Sequence, residues 1–225
     1  MKEASVKTLE KDKFDNNSTD KAAAGKTGVR PDTRQIVTIG MMAAILSVLS
    51  VIPIPFSVFG VPMTLQTFAV ALVGYTIGAV PGAVTALIYL LLGLLGVPVY
   101  NGAQAGPGVL FGLAGGFIFG FIPMAFLCGY GSRVRMSDKW MKVFPAVGLG
   151  ITGLAVCHLT GVFQFMLVYN SMNAGSEGFV AAGMAKAFAL VSAPYIPKDI
   201  LSVVLAYMAS RALKRALNRS GLMEN

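Results

Sequence analysis

Residues 36–132 contain no Lys, Arg, Asp, Glu or His. A soluble domain of that length needs a charged surface, and roughly 25% of residues in an ordinary globular domain are charged. The whole chain here has 12%, against 55% hydrophobic and a mean hydropathy of +0.69. Lipid is the solvent such a stretch is built for. These features exclude a disordered chain and weigh against an ordinary soluble enzyme. The expected fold class is an all-α polytopic membrane protein.

Apolar runs bounded by Pro, Gly and charge predict six transmembrane helices near 36–52, 65–80, 82–97, 109–130, 143–169 and 193–210. The second and third are short for a bilayer that takes about 20 helical residues to cross, and Val80-Pro-Gly82 suggests a tight turn between them. Gly74, Gly78, Gly82 and Ala86 are small enough to let the two helices approach closely. Three segments are expected: a polar, disordered tail (1–35), a six-helix membrane domain (36–213) and a basic C-terminal tail (214–225). The first 35 residues have no apolar region of the signal-peptide kind.

Charge placement sets the orientation. With the N-terminus inside, the cytoplasmic segments carry eight basic residues before the first span, none at 80–82, four at 131–142 and four after the sixth span. That places sixteen of the eighteen Lys and Arg on one side, as the positive-inside rule requires. Five or seven spans would divide the basic clusters. Both termini are therefore expected in the cytoplasm, in a multi-pass protein of the cell membrane. The net charge of +8 is spread over span ends and forms no basic face, so nucleic acid is not an expected partner.

Lys198 and Asp199 follow Pro194-Tyr-Ile-Pro197 and fall within the sixth apolar run. An ionisable residue inside a span is costly, which makes the two a candidate functional site. A structural ion pair, or a lysine reaching the outer interface, is the alternative. Adjacent helical residues diverge by about 100°, so the two are expected to pair poorly with each other. Ser202 lies one turn further on. The loop from Gly96 to Gly108 surrounds Tyr100, Asn101 and Gln104 with glycine and proline, exposing backbone polar groups. Asn and Gln offer both donors and acceptors, suiting an amide or urea group better than a phosphate. Phe56, between the first two spans, either covers an apolar ligand or belongs to an aromatic belt. The segment 178–191 is too short to span and is expected along the outer surface or over it as a lid.

Other features carry less. Asp20 stands where a P-loop needs its first glycine, so Asp20-Lys-Ala-Ala-Ala-Gly-Lys-Thr27 is a chance imitation. His158, the single histidine, has no partners at metal spacing, and Cys128 and Cys157 lack CxxC spacing. Neither a metal nor another cofactor is implied. Gln66, Tyr89, Gln164, Tyr169 and Asn170 could each reach an outer cavity or bond a neighbouring helix. No nucleophile–base motif of the GxSxG or HExxH kind occurs, so an enzyme is not expected.

Gly96-Val-Pro-Val-Tyr100 and Gly108-Val-Leu-Phe-Gly-Leu-Ala-Gly-Gly-Phe-Ile-Phe-Gly-Phe121 resemble the signature of the BioY family, the biotin-specific S components of energy-coupling-factor (ECF) transporters. Pro62-Met-Thr-Leu-Gln66 and Pro194-Tyr-Ile-Pro-Lys-Asp199 match as well, and the likeness runs from about 36 to 213. It implies a membrane subunit that captures biotin outside and works with a transmembrane coupling subunit and two ATPase subunits. On that reading Asn101, Gln104 and Asp199 are expected to bond the ureido ring, with Gln66 and Ser202 as further candidate site residues. The apolar tail would lie against Tyr100 and Phe56, and Lys198 would hold the carboxylate. Small residues spaced by four on the first helix, Gly40/Ala44 and Ala43/Ser47, resemble the coupling-subunit contact; packing within the chain is the alternative. The family's lysine three residues after the aspartate is Ser202 here, and Lys198 precedes the aspartate instead. The alternatives left open are another vitamin on the same scaffold, or a membrane protein outside transport.

Overall fold

The structure is a computed structural model that describes residues 33–58, 61–132, 143–174 and 183–221, with the side chains of 53–58 and 61–63 outside that description. The tail expected at 1–35 lies outside it up to residue 32, as do most of the inner basic loop (133–142) and Glu177. In chain order the elements are α1 (Thr33–Val51), β1 (Pro53–Val58), β2 (Val61–Thr64), α2 (Gln66–Ile77), α3 (Ala79–Leu94), a single 3-10 turn (Asn101–Ala103), α4 (Pro107–Leu110), α5 (Gly115–Gly131), α6 (Val143–Asn173), α7 (Met184–Val191) and α8 (Ile196–Arg219). The fold is helical, with one local addition: the segment after α1 forms an antiparallel hairpin that pairs Ser57 with Pro62 and Val58 with Val61.

α1 and α6 are each long and apolar enough to cross a membrane. α7 and α8 meet the same test as a pair bent by 62°, and α2, α3 and α5 are shorter apolar helices. The burial pattern suits lipid. α1 buries Thr38, Met42, Leu46 and Ser50 at helical spacing and exposes Ile36, Val37 and Val48. Leu159 on α6 and Leu201 and Met208 on α8 are exposed in the same way. Apolar side chains displayed on so many helices mark a surface that faces hydrocarbon. The chain is an integral membrane protein.

Three boundaries differ from the sequence reading, each for a local reason. The α2–α3 turn is at Gly78 (φ 92°), not at 80–82. Pro81 sits in the first turn of α3, where its missing N–H has no intrahelical partner to lose. The run at 109–130 is broken between α4 and α5, because the Gln164 amide takes the carbonyls of Leu110 and Gly112, each at 2.9 Å. α8 continues past Ser210 to Arg219, with Leu213 and Leu217 still packed on the core.

Close helix approach positions the rest. Gly82 faces Gly74, and a methyl at Gly82 would stand 3.0 Å from the Gly74 Cα. A methyl at Gly74 would overlap the carbonyl oxygen of Ala125 on α5. Tyr75, fully buried, donates from its hydroxyl to the Ala146 carbonyl (3.1 Å) and meets Tyr207 edge-on at 5.3 Å. Gly74→Val is therefore expected to cost about 1–3 kcal/mol of stability, the usual penalty for overpacking. Gly40→Val, where an added Cβ meets no other part of the fold within 4 Å among the described residues, should cost far less. Thermal unfolding of the two variants in detergent checks the difference.

Candidate functional site

Between β2, the start of α2, the loop after α3, α5, α6 and the α7–α8 bend lies a cavity of about 250 Å³. That is near the lower end of small-molecule sites, which run to roughly 300–1,000 Å³. Its polar groups converge from separate parts of the chain, and its walls are Val109, Phe117, Ile118, Phe121 and Leu154. Tyr100, Asn101, Gln104, Gln66, Lys198 and Asp199 all line it. Ser202 is buried but does not line it. The side chain of Phe56 lies outside the described residues.

Two of these residues turn out to be braces. Tyr100 is fully buried, and its hydroxyl donates to the Leu90 carbonyl at 2.6 Å. Its ring occupies the space a side chain at Gly93 would fill and meets Tyr89 edge-on at 5.7 Å. The Tyr100 N–H donates to the Gln104 carbonyl (3.0 Å), and Gly106 N–H to the Gly93 carbonyl (2.7 Å). The loop is thus tied to itself and to the end of α3. Gln66 donates to the Tyr89 hydroxyl at 2.6 Å, and that hydroxyl donates to the Val99 carbonyl at 3.2 Å. Tyr100 accordingly presents ring to the cavity, with its hydroxyl already engaged.

Lys198 and Asp199 do pair, contrary to the expectation from helix geometry: Nζ lies 2.5 Å from Asp199 Oδ1. Both residues fall in the first turn of α8, which begins at Ile196. The four-carbon lysine stem closes the angle between adjacent positions. Lys198 Nζ also donates to the Thr64 carbonyl at 3.1 Å, joining the end of the hairpin to α8. Position in the first turn places the Asp199 carboxylate near the positive end of the helix dipole.

His158 was passed over in the sequence because it has no motif around it. The structure brings its Nε2 to 3.2 Å from Asp199 Oδ2 and its Nδ1 to 2.9 Å from Ser192 Oγ. The ring meets Phe117 edge-on at 5.7 Å. One signal could have found it: a lone histidine within an apolar run must have a polar partner, and Asp199 is the only acidic residue in any predicted span. The segment expected along the outer surface is α7 from Met184 onward. It rests Ala187 and Val191 on Val162 and Phe165 of α6, and Val191 reaches the cavity.

Helices with lipid-facing apolar surfaces around a small, part-polar cavity define a membrane protein that binds a small molecule within its bundle. The sequence matches the BioY family over residues 17–219. The chain belongs to that family. It is 33% identical to the biotin transporter BioY of Rhodobacter capsulatus over 80% of this chain and 93% of that one. It is 32% identical to the Thermotoga maritima protein of the same name (81% and 96%) and 34% identical to biotin transporter BioY2 of Lactococcus lactis (82% and 92%). A solved S-component for biotin from an ECF-type ABC transporter shares the fold, with a TM-score of 0.66 at 22% identity over 80% of this chain and 90% of that one.

Tyr100→Phe should lower stability by about 0.5–1.5 kcal/mol, the usual worth of one hydrogen bond, and leave ligand affinity unchanged. Thermal unfolding and calorimetric titration of that variant check both. A large loss of affinity would show that the hydroxyl meets the ligand.

Proposed function

We propose that this chain captures biotin at the outer face of the cell membrane and passes it inward with a transmembrane coupling subunit and two ATPase subunits. One observation carries the proposal: in a BioY-family chain, amide, ammonium and carboxylate side chains meet in one cavity sized for a small ligand. The relatives are named as biotin transporters, and the shared fold is that of a biotin S-component. It is a transport subunit and not an enzyme.

This reading assigns six spans, to α1, α2, α3, α5, α6 and the bent α7–α8 pair; α1, α6 and that pair are long and apolar enough by themselves, and the other three are shorter apolar helices. With both ends cytoplasmic, that count keeps sixteen of the eighteen basic residues inside. The cavity then lies in the outer half. Asn101, Gln104 and Asp199 bond the ureido ring, Tyr100 and Phe56 flank the apolar tail, and Gln66 and Ser202 support the surroundings. Lys198 receives the carboxylate. Because Lys198 and Asp199 start as a pair, the ligand must draw the ammonium away on its flexible stem. The released Oδ1 then accepts a ureido N–H.

This exchange predicts a ratio. Wild-type protein should bind biotin more tightly than biotin methyl ester, and Lys198→Ala should abolish that preference whatever its absolute affinity. Calorimetry with both ligands, and competition by other vitamins, is the check. An unchanged preference would remove Lys198 from the carboxylate.

Of the two small pairs on α1, Gly40/Ala44 is exposed. Ala43 is buried, and Ser47 donates to its carbonyl at 2.8 Å. This supports Gly40/Ala44 as the face toward the coupling subunit. Ala44→Trp should lower biotin uptake by cells carrying the full transporter while leaving biotin binding by the purified chain intact.

A further inference from the structure

We propose that His158 is a positioning residue that, with Ser192, holds Asp199 as a pure hydrogen-bond acceptor, so that the cavity admits only ligands presenting an N–H at that point. This rests on the reading of the cavity as the binding site. Imidazole Nε2 lies 3.2 Å from Asp199 Oδ2, and Nδ1 lies 2.9 Å from Ser192 Oγ. All three side chains are buried. A carboxylate can only accept, so Nε2 carries the proton. The proposal assigns Nδ1 as the acceptor, with the Ser192 hydroxyl donating to it.

Ser192 is well placed to fix this arrangement. It closes α7 at the bend, where its N–H donates to the Phe188 carbonyl and its carbonyl accepts from Tyr195 and Ile196. Fully buried, its hydroxyl has His158 within reach. Phe117 holds the imidazole from the side, perpendicular to the ring. The chain of donors runs from Ser192 through His158 to Asp199 Oδ2, while Lys198 stands at Oδ1. Both partners of Asp199 are donors. A carboxylate held between two donors presents acceptor oxygens to a ligand. A ligand offering only an acceptor there leaves two polar groups facing each other without a proton, the mismatch that gives strong rejection.

His158 is the only histidine in the sequence, so its nitrogen resonances need no assignment. Protein carrying a tag without histidine and labelled with 15N-histidine should show a pyrrole-type Nε2 bonded to proton. A bare Nε2 would overturn the proposal even without ligand. For function, His158→Phe keeps an aromatic ring but removes the donor, and about ten- to hundred-fold weaker biotin binding is expected from the loss of a hydrogen bond to a charged group. His158→Gln, whose amide can donate, should recover most of it. In an Asp199→Asn background, His158→Phe should cost little more, since a residue acting through Asp199 loses its effect with Asp199. Additive losses, or biotin binding by His158→Phe equal to wild type, would overturn the proposal. Absence of biotin binding by the wild type would instead count against the functional reading, while the nitrogen spectrum would still decide the His158 geometry.

Discussion

A carboxylate buried in an apolar bundle is the constraint around which the cavity end of this protein is arranged. Removing an ion from water costs several kcal/mol unless partners replace the lost hydration. Asp199 has three compensations: the Lys198 ammonium, the His158 imidazole and the first-turn position on α8. Each requires something further of the chain. The helix start needs the bend after α7, which Pro197 in the first turn accommodates. His158 needs the length of α6 and the Ser192 hydroxyl. Lys198, held to the Thr64 carbonyl, brings in the hairpin. Separate parts of the chain are thus joined at one charge.

The backbone around this charge obeys the same accounting of polar groups. Irregular chain at membrane depth survives only where it is buried in protein or lines a cavity. Between α3 and α5 the chain is irregular through the 3-10 turn and the four residues of α4. Its carbonyls and N–H groups find partners in Gly93, Gln104 and the Gln164 amide. Glycine serves this region by close approach more than by flexibility, as where the Tyr100 ring fills the place of a side chain at Gly93.

What the sequence showed, and what it hid, divides along physical range. The charge-free stretch from 36 to 132 announced apolar helices because composition is a sum over many residues. Polar residues in the apolar sixth run, and the polar loop around Tyr100, announced the cavity wall, since each is expensive unless used. Boundaries were less legible. Val80-Pro-Gly82 looked like a turn, yet Gly78 supplies the positive φ and Pro81 merely starts a helix. The break before α5 depends on Gln164, which is distant in sequence. Tyr100 was read by its polarity, whereas its hydroxyl is consumed by Leu90. His158 drew only a metal test in the sequence because its meaning lies in Ser192 and Asp199, 34 residues away in the first case and on another helix in the second.

The resting contacts also bear on why such a site can be selective without holding its ligand irreversibly. Lys198 is paired with Asp199 and donates to the Thr64 carbonyl. In the proposed binding mode a ligand supplies a carboxylate and an N–H donor that replace those contacts, and only the surplus appears as affinity. A lookalike missing either group breaks the pair without repairing it, and the penalty falls on a buried charge. Discrimination therefore grows with the cost of disruption, while affinity stays bounded by the difference between two satisfied states. A carrier subunit that must release what it has captured needs that combination, and an open cavity with an unpaired cation would lack it. The tie from Lys198 to Thr64 adds that the group proposed to meet the ligand also holds the hairpin to α8.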